Sequence, residues 1–156
     1  MVGERPAVDE RPPADAISDM VEHVLDVAGT WLSWDGTPVR WRDRTTTPHK
    51  ALRRVADHMV DHLAQFHARL AGVESPPDGW LGSAMTSAAD LAPFSADDLA
   101  EARSRLNRLA LLWRIALSGV AAERLDEPAG DEYTLREIAF CAVSSADYAD
   151  SLGWML

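Results

Sequence analysis

Apolar residues recur at helical spacing in four segments of the chain, and no segment sustains a two-residue alternation bounded by turn signals. This pattern predicts an all-α domain. Its clearest instance is the second segment, where Leu52, Val55, Met59, Leu63, Phe66 and Leu70 step by three or four residues between a Thr47 N-cap with Pro48 behind it and a closing Gly72. A first helix is expected from about Ala14 to Trp31, with Ile17, Met20, Val21, Val24 and Ala28 on one side. A third opens at Ser95, with Asp98 in the capping-box position, and is expected to reach about Leu125. A fourth opens at Thr134 with Glu137 and is expected to end near Gly153. Two connections rich in Pro and Gly separate them: "SWDGTPVRWRDRTTTP", read as a loop, and "GVESPPDGWLGSAMTSAADLAPF", with room for a short helical turn. Four helices with one long connection make an up-down four-helix bundle, whose sites are built between facing helices.

At 156 residues the chain suits one core. Residues 14–156 are expected to form that domain, behind a flexible tail over 1–13. Fifteen basic residues against twenty-five acidic ones leave a net charge of -10, which argues against nucleic acid as a partner. No stretch approaches the ~20 apolar residues of a membrane span. A single cysteine, Cys141, excludes an internal disulfide and, with no signal-peptide core at the start, points to a cytoplasmic protein.

"ADHMVDHLAQFH" places His58, His62 and His67 within one helix. At about 100° per residue, His62 lies at the edge of the apolar stripe and His58 just outside it. Setting "LRRVADHMVDH" (52–62) over "LREIAFCAVSS" (135–145) pairs His58 with Cys141 and His62 with Ser145. The blander reading of each is strong: surface imidazoles occur on many helices, and a lone cysteine is most often a small buried hydrophobe.

The segments "ALRRVADHMVDHL" and "DEYTLREIAFCAVSSADYADSLG" resemble the DinB/YfiT-like superfamily of four-helix bundles, over nearly the whole chain from Ala14. The resemblance implies a divalent-metal site, zinc or nickel, with one His from the second helix and an H-x-x-x-H pair from the fourth. His58 matches the first, while the pair falls on Cys141 and Ser145. A thiolate is a good zinc ligand and a Ser hydroxyl a poor one, so His58, His62 and Cys141 are the candidate ligands. The resemblance further implies a metal-dependent hydrolase or small-thiol transferase, and a homodimer. The alternative is a non-catalytic protein of the same fold that binds a small molecule, or a structural dimer, without metal.

Trp31 and Trp113 fall on core stripes, and Trp34, Trp41 and Trp80 are read as staples between connections and helices. "RWRDR", with Arg40, Arg42 and Arg44, is suited to a carboxylate or phosphate, although local ion pairing is the simpler expectation. No phosphate loop, nucleophile elbow or dinucleotide fingerprint is present.

Overall fold

The computed structural model describes residues 4–75 and 81–156. It is mostly helical, with one two-stranded hairpin. Helix α1 (Pro13–Gly29) buries Ile17, Met20, Val21, Val24 and Ala28, the face that its periodicity predicts. The α-helix stops at Gly29, and a 3-10 turn over Thr30–Ser33 carries Trp31 into the core, where its indole N–H donates to the Gly153 carbonyl at 2.7 Å. Close by, the Met155 N–H donates to Thr30 Oγ1 at 2.9 Å.

The first connection is more ordered than its composition suggests. Strands β1 (Val39–Trp41) and β2 (Arg44–Thr46) pair antiparallel, Val39 opposite Thr46 and Trp41 opposite Arg44. Arg42 takes a positive φ of 58° at the turn, where glycine or asparagine would be the usual choice. Three-residue strands are too short to display alternation, which is why the sequence reads as a loop there.

Helix α2 (Pro48–Ala71) has the boundaries that its end signals predict. Thr47 Oγ1 accepts from the Lys50 N–H at 3.2 Å, and Gly72 closes the helix in the left-handed conformation. The long second connection holds a single turn, α3 (Leu81–Ala84), and a 3-10 turn at Ala89–Leu91. Trp80 lies outside the described residues.

Helix α4 (Ala96–Ser118) starts on the Ser95–Asp98 capping box but ends at Ser118, before Gly119, rather than at Leu125. A separate turn, α5 (Ala122–Leu125), follows. The last helix is likewise divided. α6 (Leu135–Val143) opens on the Thr134–Glu137 capping box, and α7 (Ala146–Asp150) follows a break at Ser144 and Ser145. At the break the Ser144 hydroxyl donates to the Cys141 carbonyl at 2.6 Å, a local bond that competes with the helical ladder.

The long helices and the α6–α7 pair enclose one apolar core. α1 packs on α4, α6 and α7, and α2 packs on the same three. Trp113 is fully buried, edge-on to Phe66 at 5.4 Å between centroids, with its N–H on the Met59 carbonyl at 3.1 Å. Ahead of α1, Arg5 forms a two-pronged ion pair with Glu137 at 2.6 and 2.9 Å, and the Tyr133 hydroxyl donates to the Glu4 carbonyl. Among the described residues no helix is long and apolar enough to cross a membrane.

Thr47 is fully buried and caps the longest helix. Replacing it with alanine is expected to cost about 1 kcal/mol, and replacing it with serine less, measured as a shift in the urea midpoint at unchanged slope.

Candidate functional site

Helix α2 brings two of the three expected metal ligands side by side. His58 and His62 are half-buried, one turn apart, with ring centroids 5.9 Å from each other. His58 Nε2 lies 2.7 Å from the Tyr148 hydroxyl on α7, and His62 Nδ1 lies 3.1 Å from Gln65 Oε1. Cys141 is buried on α6, one turn beyond Glu137. Burial, reinforced by the Glu137 carboxylate, pushes its thiol up to about 11, so without a cation beside it the thiol is protonated at neutral pH. Ser145 is buried, and its hydroxyl oxygen has no partner among the described residues. No three His, Cys, Asp or Glu side chains among the described residues form a group that could hold a metal ion. His58 and His62 stand together on α2, and Cys141 lies on α6.

The other histidines stand apart. His49 Nε2 lies 3.0 Å from the Pro93 carbonyl, His67 is exposed, and His23 meets Asp150 at 2.7 Å on the surface.

Continuing up α2 toward its N-terminus from His62 and His58, steps of four residues reach Arg54 and then Lys50. These residues drift by only about 40° per step, so they share one flank of the helix. Lys50 is 3% exposed and Arg54 is 8% exposed, a rare state for side chains that carry full charges. The Arg54 guanidinium lies over the Tyr148 ring, 4.3 Å from its centroid, and Nη2 donates to the Tyr148 hydroxyl at 3.3 Å. Arg54 Nε is buried with no hydrogen-bond partner among the described residues. Lys50 Nζ donates to the Thr45 carbonyl at 2.8 Å and to Thr86 Oγ1 at 2.9 Å.

Between these groups is a recess of about 20 Å³, lined by Trp41, Arg44, Lys50, Arg54, Tyr148 and Ser151. That is space for about one water molecule or the end of an oxyanion. Among the described residues no carboxylate lines it. Asp90, the carboxylate whose field reaches Lys50, is itself held by Arg53 at 2.8 Å and by the Ser87 N–H at 2.7 Å. Desolvation and the Arg54 charge, helped by Arg53 and Arg44, hold the Lys50 ammonium below the usual lysine range against the opposing pull of Asp90.

The "RWRDR" arginines do not pair locally as expected. Among the described residues none of Arg40, Arg42 and Arg44 makes an ion pair. Arg42 stacks on Trp41 at 4.5 Å, and Arg44 borders the recess. Trp34 is partly buried against the core, and its N–H donates within its own loop to the Thr37 carbonyl at 2.8 Å. Lys50 and Arg54 escape a reading centred on imidazoles. Two signals point to them: the four-residue spacing from His58, and the fact that Lys50 is the one lysine among fifteen basic residues.

Fold and recess together describe a mostly helical protein with a cationic recess that, among the described residues, no carboxylate lines. Compared with protein-family models, curated proteins and solved structures, the chain matches none.

Burial of Cys141 makes its reactivity a test of the packing around α6. In the folded protein the thiol is expected to react with a disulfide reagent at pH 8 about a hundredfold more slowly than after unfolding in urea. An equally fast reaction in both states would place the side chain outside the packed interior.

Proposed function

We propose that the protein is an up-down four-helix bundle of the DinB/YfiT-like kind that binds a small anion between helices, without catalysis by a resident metal. One observation carries this reading: Arg54, more than nine-tenths buried and with no hydrogen-bond partner for its Nε among the described residues, lines a recess together with Lys50 and, among the described residues, with no acid. A buried charge left unpaired is costly, and an entering anion relieves that cost. The planar guanidinium favours a carboxylate or phosphate terminus. The size of the recess limits the buried part to one such terminus, with the rest of a larger molecule outside past Trp41 and Arg44.

The alternative, a hydrolase or small-thiol transferase working through zinc or nickel on His58, His62 and Cys141, has the adjacent His58–His62 pair in its favour. Assembly as a homodimer belongs to the same DinB-like reading, and Leu111, Leu112 and Ile115 give α4 an exposed apolar face that a second copy could cover.

Thermal unfolding in acetate, phosphate and chloride at fixed ionic strength tests the proposal. A ligand at a hundred times its Kd adds about 2.7 kcal/mol. Acetate or phosphate is expected to stabilise the wild type saturably, Arg54→Gln hardly at all and Arg44→Gln less than the wild type. Equal stabilisation of all three proteins would be a general salt effect and would sink the anion site. Stoichiometric zinc or nickel in untagged protein, lost in both His58→Ala and Cys141→Ala, would favour the metal reading instead.

A further inference from the structure

Lys50 sits where a permanent ammonium is poorly served. It is buried beside Arg54, with Arg53 and Arg44 adding like charge, and the carboxylate of Asp90 is already committed to Arg53. Among the described residues its hydrogen bonds number two, to the Thr45 carbonyl and to Thr86 Oγ1. An ammonium carries three N–H groups, whereas a neutral amine carries two and a lone pair. Two acceptors therefore satisfy the neutral amine completely and leave its lone pair for the recess that it borders.

We propose that Lys50 is a carbamylation site, whose amine adds carbon dioxide to give an N-carboxylate seated in the recess against Arg54. The inference rests on the anion-site reading above and names the anion as one made in place. In the step, the Nζ lone pair forms a bond to the carbon of CO2 and one C=O electron pair moves onto oxygen. One N–H proton leaves to water, so that amine plus CO2 gives carbamate plus a proton. No oxidant, reductant or metal takes part. The product nitrogen keeps one N–H for Thr45 or Thr86 and gives up the other bond.

Four features fit this product. The nitrogen is already in position, so only three new atoms have to enter, in keeping with a recess of about 20 Å³. Carbamylation turns a would-be cation into an anion beside Arg54 and Arg44, so that like-charge repulsion becomes attraction. Arg54 Nε, which has no hydrogen-bond partner among the described residues, gains an acceptor. The reactant is neutral, so the acidic exterior of a chain with net charge -10 does not repel it.

The chain lends itself to a direct test, because Lys50 is the only lysine among its 156 residues. Wild-type protein equilibrated with carbon-13 bicarbonate is expected to show a carbamate resonance at Lys50 by NMR. Trapping with an oxonium alkylating agent followed by peptide mass spectrometry would locate the adduct. The resonance should vanish in Lys50→Arg, fall about tenfold in Arg54→Gln, and fall by less in Arg44→Gln, whose site is on the exposed hairpin. Saturating acetate should displace it. No carbamate at Lys50 in wild type that still binds acetate saturably would overturn this inference and leave the anion site standing. A Lys50 carbamate unaffected by acetate and by both arginine changes would overturn its placement in the recess. Absence of both acetate binding and carbamate would overturn the two together.

Discussion

The contact of Arg54 with Tyr148 ties the end of the chain to its centre. A guanidinium lying over a phenol ring and donating to its hydroxyl joins α2 to α7, the short piece left after the helical break at Ser144. The same phenol oxygen reaches His58 one turn further along α2. A five-residue helix could not hold its own position in water. Anchored through Tyr148, with Ala149 buried in the core, α7 closes one side of the cationic recess. Thus the packing that completes the core also fixes the charged groups whose chemistry the protein can use.

Local signals were legible wherever the cause is local. Both capping boxes, at Ser95 and at Thr134, and the Thr47 and Gly72 boundaries of α2 depend on a few neighbouring residues, so composition and spacing reveal them directly. The hairpin was hidden because three residues per strand cannot show a period, and because its turn uses Arg42 where a glycine would have announced it. The break in the last helix turns on one hydroxyl, Ser144, choosing the Cys141 carbonyl, and serine makes that choice in some helices and not in others. Ending α4 at Ser118 rather than Leu125 follows from Gly119, whose weight against an apolar run that continues to Val120 is not evident from sequence.

The functional side chains were legible in part. The sequence singles out the second helix, whose four-residue ladder runs on from His62 and His58 to Arg54 and Lys50. Basic residues at that spacing normally occupy a solvated flank, so nothing in the one-dimensional pattern announces that this flank turns inward. Burial came from outside the helix, from the hairpin with Thr45 and from Thr86 and Tyr148, which are distant in sequence. Whether His58 and Cys141 face a common space likewise depends on how α6 is rotated against α2. Cys141 shares its side of α6 with Glu137, whose partner Arg5 lies ahead of the first helix.

The junction of Trp31 with Gly153 gives the final residues a role out of proportion to their length. The indole is wholly enclosed, yet its sole polar atom is satisfied by a carbonyl only three positions from Leu156, and Met155 is pinned to Thr30 alongside it. The closing segment therefore acts as a keystone for the far end of α1. Trimming back through Gly153 would strand a tryptophan nitrogen without its acceptor and uncover the base of the molecule.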